Sequence, residues 1–525
     1  MAADTTVLVV GAGPTGLLLA AELIRRGIDC TIIDRQPTPS VWDRATIVHP
    51  RSLEVFESLG IVDAFLERGV KQRFARLHSA GCVLGDIDLS LCGSRYEFNI
   101  GISEEVTESI LTDYLHRQGG RVTRTSQLVK LDQQSECVTA TILCEGATKV
   151  ISADWVVGCD GYHSAVRQQC GIELRGSDSD DPWAVFDTTL IGWHGSHEAI
   201  YGYLDVVPVI LTSLPRSRWR VYLRPSALDS DLLDDAAATL QPYFPAIAFA
   251  DVANPTRFRC HAKVATSFRA GRVLLAGDAA HICSPSQGHG MNSGLQDAFN
   301  LAWKLALVAG RHCAQDLLNS YEAERRPVAQ KNALSGDEFE RAQDLTDPEQ
   351  RRQRDKGLTA TFTDPASCYR ESISEAELDI DYATSPIVLG DANSTIGPGQ
   401  RLPNTIEVFP ASGEVSRLHE LTHRAGHTVL LIDGADAAGD RLADIAELLA
   451  ARGSPLLLEA TLLLAVHPDQ RCASIPLTRG TAEELGVSEI TMLVIRPDGH
   501  VGLRADRDHL QALTDYCNLL ASVES

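Results

Sequence analysis

Thr6–Val10 is a short apolar, β-branched run, Leu17–Leu23 is a dense apolar segment, and Ile28–Ile33 is a second buried run ending at Asp34. Runs of this kind predict strand, helix and strand, so the chain opens as a βαβ unit. Strand-like runs recur at Val156–Val157 and Val273–Ala276, and each leads into a turn, Asp160-Gly161 in the first case and Gly277-Asp278 in the second. After the second turn, Leu295, Phe299 and Ala302 recur at helical spacing, with Gly310 as the predicted stop. Between the turns the pattern is strand-like throughout, over Trp183–Ile191, Tyr201–Leu214 and Trp219–Leu223, which predicts a sheet. Alternation puts Tyr201 and Tyr203 on one face of it, as a cavity wall or as sheet core.

From about Arg341 to Pro403 the chain turns polar and charged, and Gly397–Pro403 reads as a junction. Beyond it the pattern predicts a strand at Thr428–Ile432, a helix at Leu442–Ala451 and a strand at Thr461–Val466. A hairpin of Thr491–Ile495 and His500–Leu503 around Pro497-Asp498-Gly499 and a closing helix at Leu510–Leu520 follow.

At 525 residues the chain exceeds one compact core, and 44% hydrophobic with 22% charged residues is ordinary globular usage. The 47 basic against 70 acidic residues give a net charge of −23, which repels a phosphate backbone and argues against nucleic acid as a partner. No stretch approaches the roughly 18 uninterrupted apolar residues that a membrane span needs. Thirteen scattered cysteines, an odd number, fit core thiols in a reducing compartment better than a disulfide framework, so the expected location is cytoplasmic.

Gly11-Ala12-Gly13-Pro14-Thr15-Gly16 sits between the first strand and helix, and Asp34 follows Gly16 by 18 residues. In a dinucleotide fold the first glycine makes the tight turn, the second admits the pyrophosphate, and the third lets helix and strand pack. The helix N-terminus supplies free N–H groups and a positive dipole end, and the terminal acid grips a ribose. Asp34 could equally be a surface acid at a strand end.

With GxGxxG, Asp160-Gly161 and Gly277-Asp278 in this order, the sequence resembles the FAD-dependent aromatic hydroxylases, single-component flavoprotein monooxygenases related to para-hydroxybenzoate and phenol hydroxylases. The likeness covers about residues 5–345 and is densest from Gly277 to Lys304. It implies an α/β fold in which 1–345 is a Rossmann-like FAD-binding domain with a substrate-binding β-sheet inserted at 176–265. A linker and helical connection at 346–400 then leads to a thioredoxin-like domain at 401–525. Gly11, Gly13, Gly16 and Asp34 are implied in holding the ADP half of FAD, with Arg35 also at the cofactor and Arg44 helping to set its position. Asp160 and Gly161, supported by Arg167, are implied in binding FAD and NAD(P)H, and Asp278 in binding the ribityl chain. Pro285, Gly288, Gly290, Met291 and Asn292 resemble the loop beside the isoalloxazine ring.

Gln287 and His289 stand where the family has Gly and Gln, and Glu104 stands where it has a flavin-contacting Gln. Tyr201, Tyr203, Trp219 and Tyr222 are candidate pocket residues, and His289 and Tyr222 are candidates for activating a phenol. His281, Cys283 and His289 are better explained by the flavin loop than by a metal site. The C-terminal region lacks a CxxC pair, which leaves packing or a homodimer contact as its default role.

The implied reaction is monooxygenation. NADPH or NADH reduces FAD, O2 adds at flavin C4a, and the hydroperoxyflavin hydroxylates a phenolic or polyketide-derived small aromatic molecule. A single GxGxxG in the chain argues against a second nucleotide domain. Epoxidation or Baeyer–Villiger insertion on the same fold, and a non-catalytic flavin-binding scaffold, are the alternatives.

Overall fold

A computed structural model describes residues 3–39, 45–179, 182–284, 288–391, 394–409, 415–434, 440–451, 458–467 and 471–521. The chain divides into two units, one of Met1–Ala21, Asp29–Ala298 and Arg326–Asp379, the other of Glu22–Ile28, Phe299–Arg325 and Ile380–Ser525.

In the first unit, strand Thr5–Val10 pairs in parallel with Cys30–Ile33 on one side and Ala147–Gly158 on the other, and Ala147–Gly158 pairs in parallel with Val273–Leu275. Thr5–Val10, Val273–Leu275 and the Trp155–Gly158 end of the third strand are buried on both faces, which is why they read as near-continuous apolar runs. The register aligns Ile33, Val10, Gly158 and Leu275, so four strands end in one row and their loops leave from the same edge.

A second sheet of the first unit has the order Ala248–Phe258, Trp183–Ile191, Arg218–Leu223, Val209–Leu214, Ala199–Tyr203, Phe74–Ser79, Cys82–Asp88. The predicted strand Tyr201–Leu214 is in fact a hairpin of two strands, broken where Asp205 and Pro208 favour a turn. The sheet also reaches outside the expected 176–265 insertion, because Phe74–Ser79 pairs in parallel with Ala199–Tyr203. Helices Pro348–Thr363 and Pro365–Glu375, in the segment expected to be connection, belong to this unit. Leu358 and Phe362 pack on Leu77, Leu84 and Leu204 of the sheet's edge. A Cβ on Gly85 would come within 2.3 Å of Phe362, so the glycine admits that ring.

The second unit contains a sheet ordered Ile475–Pro476, Leu458–Ala465, His427–Asp433, Ile490–Ile495, Val501–Ala505, with helix Asp440–Ala451 joining its first parallel pair and helix His509–Ala521 closing it. This βαβ unit followed by a hairpin and a helix is the thioredoxin-like order. Its core gathers Leu430, Ile432, Leu464, Leu493 and Val501. The same unit encloses four charges. Arg496 donates to both oxygens of Glu324 at 2.7 and 2.8 Å and also pairs with Asp498, and Lys304 Nζ donates to Glu324 Oε2 at 2.6 Å. Asn300 and Ser385 each donate to Glu324 at 2.6 Å, and Trp303 Nε1 donates to Asp498 at 3.0 Å. The side chains of Lys304, Arg496 and Glu324 are fully buried.

Among the described residues, no helix is long and apolar enough to cross a membrane. The 13 cysteines, all among the described residues, form no disulfide.

Candidate active site

The row of strand ends sets the site. Val10 leads into Gly11, Gly158 into Cys159-Asp160-Gly161, and Leu275 into Ala276-Gly277-Asp278, three loops released at one edge of the parallel sheet. Gly11 has φ of +104°, and a Cβ there would lie 2.2 Å from the Cys159 carbonyl oxygen. A Cβ on Gly16 would lie 2.0 Å from the Gly11 carbonyl oxygen, so both glycines are required for the turn and its packing. Gly13 differs. A Cβ there would meet only Glu108 Oε1 at 4.0 Å, which leaves its backbone facing open space.

That space is a cavity of about 860 Å³, near the upper end of the roughly 300–1,000 Å³ of small-molecule sites. Gly13, Arg35, Asp160, Gly161 and Asp278 line it, and so do Gly288, Gly290 and Met291 of the later loop. The structure therefore brings the three sequence-distant turns to one wall. Exposed Asp278 stands at the end of its strand with free access to the cavity. Open backbone at Gly13 and Gly161, an N-terminal helix turn beginning at Pro14 and a carboxylate at Asp278 form a donor and acceptor set that fits a dinucleotide.

The loops are fixed from behind. Asp160 accepts from Ser164 Oγ and from the backbone N–H groups of Ala165 (2.7 Å) and Val166 (3.2 Å), while burial pushes its carboxyl above the usual range against these bonds. Arg167 donates to the Tyr162 carbonyl at 2.6 Å and the Ala279 carbonyl at 2.9 Å, tying the Asp-Gly turn to the Gly-Asp turn. Asp34 uses one oxygen to accept from Ala12 N and the other from Gln36 N, both at 2.7 Å. It braces the glycine loop and is not among the lining residues.

Some supporting residues escaped the sequence reading. Asp297, fully buried, accepts from Gly277 N at 3.1 Å and lies 2.6 Å from His281 Nε2, which holds the Gly-Asp loop. An acid between the apolar Leu295 and Phe299 was the available signal. Thr15 fills the space left by Gly277 and Gly294, where a Cβ would fall 2.6 and 2.4 Å from its Oγ1.

Beyond the loops the cavity runs along the second sheet, lined by Ile200, Gly202, Ile210, Thr212 and Tyr222. Tyr222 OH and Thr46 Oγ1 lie 3.0 Å apart. Of the four aromatic candidates, Tyr222 alone lines the cavity. Tyr201, Tyr203 and Trp219 pack in the core of the opposite face with Phe186, Leu211 and Val221. Tyr201 and Tyr203 do share a face, but the side chains that alternate with them, not theirs, meet the cavity.

The later loop departs from expectation at two positions. His289, the first residue of helix His289–Ala309, does not line the cavity. Its Nδ1 lies 3.0 Å from Glu377 Oε1 in a buried pair. Burial opposes charge on this imidazole, but the hydrogen bond and charge of Glu377 outweigh it and raise the pKa above the ordinary histidine value. Asn292 is fully buried, donating to the Ile47 and Gly288 carbonyls at 2.9 Å and accepting from His49 N at 3.0 Å, so it stitches the loop to the strand before it. Glu104, at the start of helix Glu104–Arg117, lines the cavity. Arg44, Pro285 and Gln287 lie outside the described residues.

The profile of the family described as the FAD binding domain matches residues 4–334. Pentachlorophenol 4-monooxygenase of Sphingobium chlorophenolicum is 35% identical over 344 residues, 63% of this chain and 63% of that protein. 6-Methylpretetramide 4-monooxygenase of Streptomyces rimosus is 33% identical over 330 residues, 61% of this chain and 59% of that protein. The matched stretch thus spans about three fifths of the length of these curated relatives. The solved structure of OxyS anhydrotetracycline hydroxylase from Streptomyces rimosus aligns with 99% of this chain and 100% of its own, with a TM-score of 0.77 and 26% identity.

Proposed function

Because the chain belongs to the FAD-binding-domain family, we propose that it is a monooxygenase that uses NAD(P)H and O2 to hydroxylate a phenolic or polyketide-derived aromatic compound. Bound FAD supplies the redox chemistry, accepting electrons from the nicotinamide and delivering them to O2. The protein's residues bind, orient and exclude water. The Gly13 and Gly161 backbones and Asp278 would hold the cofactor, and Gly288 with the first turn of helix His289–Ala309 would offer N–H groups to its ring. Ile200, Ile210 and Tyr222 form an apolar wall that seats an aromatic ring and keeps water from it.

The observation that carries this reading is the continuity of one cavity from three dinucleotide-type loops to an apolar sheet face. Relatives named for pentachlorophenol, 6-methylpretetramide and anhydrotetracycline support an aromatic substrate. Thirteen cysteines outside any disulfide support a reducing, cytoplasmic setting.

The test is a panel of phenols and polycyclic aromatics assayed for stimulated NADPH, NADH and O2 consumption. Peroxide release is followed alongside, and product mass is checked for one added oxygen. The expected result is coupled consumption with at least one compound. Purification of the protein without flavin, or flavin oxidation that no aromatic compound accelerates, refutes the proposal.

A further inference from the structure

Among the described residues, four carboxylates line the cavity: Glu104, Asp160, Asp278 and Glu375. Asp160 is bound by the turn that follows it, Asp278 stands at the cofactor loop, and Glu104 opens a helix and accepts from Ala45 N at 3.5 Å. Glu375, the last residue of helix Pro365–Glu375, has no such role, and its side chain is 13% exposed in the wall.

What stands behind Glu375 distinguishes it from a solvated acid. Asn99 Nδ2 donates to Glu375 Oε1 at 3.1 Å, which orients the amide so that its oxygen, 3.2 Å from His49 Nδ1, accepts from that ring. His49 Nδ1 is itself 3.9 Å from Glu375 Oε1. With the proton on Nδ1, Nε2 keeps its lone pair. That atom is buried with no hydrogen-bond partner, a desolvated acceptor left open. Next comes His289, its ring centroid 5.0 Å from that of His49, paired with Glu377, whose other oxygen accepts from Gln296. One donor atom each from His49, His289 and Glu377 lies within 4.8 Å of the others. Moving inward from the cavity, a wall carboxylate is followed by an imidazole with an empty proton site, and then by an imidazole already paired with a carboxylate.

Building on the monooxygenase reading, we propose that Glu375 is the general base that ionises the substrate's aromatic hydroxyl and that His49, through Asn99, fixes the orientation of its carboxylate. The substrate O–H bond breaks with its electron pair kept on oxygen, and the proton goes to the Glu375 carboxylate. Glu375 holds that proton and returns it to the product or to water in the cavity, which leaves the carboxylate ionised again. No electrons change hands, and the substrate is left as the electron-rich phenolate. The charged or titratable groups facing His49 are Glu375 and Glu377 at and beyond the end of one helix and His289 at the start of another, with neutral Asn99 on the strand side. Asp379 adds negative charge around His289. His49 acts through Glu375 and is a positioning residue.

The test uses the holoenzyme and a chlorophenol series running from phenol, which is neutral in water at pH 7, to pentachlorophenol, which is ionised there. Glu375→Gln removes the base and leaves the loops that hold FAD untouched. The expected ratio of wild-type to variant kcat is roughly 100-fold for phenol, within the usual range for acid–base catalysis, falling towards one for pentachlorophenol. The phenol rate of the variant should rise with pH as the free phenol ionises. Glu375→Asp keeps the carboxylate and should restore the wild-type dependence on phenol acidity. His49→Gln should lower kcat for phenol while leaving KM and FAD content unchanged. A kcat ratio that is flat across the series, or near one throughout, in a protein whose wild type is stimulated by these phenols overturns the assignment of Glu375 alone. A wild type stimulated by none of them, with FAD bound, overturns the monooxygenase reading as well.

Discussion

Glu324→Gln is the sharpest perturbation available in the second unit. The substitution preserves size but removes the negative charge on which Arg496, Lys304, Asn300 and Ser385 converge at 2.6–2.8 Å. In the wild type, Lys304 and Arg496 balance Glu324 and Asp498, all buried. The variant keeps two cations against one anion. Breaking a buried pair by removing one partner costs about 3–5 kcal/mol, and a unit of this size shifts by about 2–4 °C per kcal/mol. The melting transition should therefore fall by about 6–20 °C.

Lys304 gives the loss a pH signature. Burial lowers its pKa to about 8 even with Glu324 beside it, with Arg496 adding to the depression. Without the carboxylate the pKa drops further, and the ammonium is shed nearer neutrality. A lysine whose folded pKa lies below its unfolded value gains stability as pH rises from the folded towards the unfolded pKa, and in the variant this gain starts earlier. The deficit should narrow between pH 6 and pH 9. In the wild type, burial opposes the Glu324 charge, but Arg496 and Lys304 outweigh it and hold the carboxyl down to about 2. Its contribution therefore persists above the unfolded carboxyl range and is lost only as pH falls towards 2. The assay is calorimetry or urea unfolding of both proteins from pH 6 to pH 9, with Trp303 fluorescence reporting the network through its bond to Asp498. A loss below about 1 kcal/mol, or a larger loss that does not change with pH, would refute the reasoning.

Gly11→Ala should yield protein without FAD or no folded protein, because the new methyl lies against the Cys159 carbonyl at a positive φ. Stoichiometric flavin in a soluble variant would contradict this. Asp278→Ala should fold, since the residue is exposed, but retain FAD poorly on gel filtration, and an unchanged absorbance ratio would count against its role. The raised pKa of His289 means that its pair with Glu377 stabilises fully below the unfolded histidine value and is lost as pH rises through the folded one. Urea midpoints of wild type and His289→Gln should thus differ most at acid pH and converge in alkali, and a gap that widens with pH would disprove the sign.

Local chemistry made much of this molecule readable from sequence. The glycine spacing, the two strand-end aspartates and the C-terminal βαβ, hairpin and helix follow from periodicity and turn residues that act over a few positions. What stayed hidden depended on distant pairing. Nothing in Phe74–Ser79 announces that it will lie beside Ala199–Tyr203. The alternation of Tyr201 and Tyr203 is correct, but which side of a sheet meets the cavity is decided by what covers the other side, here the helix Leu232–Leu240 and its core. His289 is next to two cavity glycines in sequence, yet Glu377, 88 residues later, draws its ring into a buried pair. Glu375 and Asn99 carried no motif, and only the tertiary fold joins them.

The two-sidedness of the seven-stranded sheet has a practical consequence for engineering. Altering the range of compounds accepted means randomising Ile200, Ile210, Thr212 and Tyr222, whose side chains project into the chamber. Libraries built on the residues between them would mostly return proteins that fail to express.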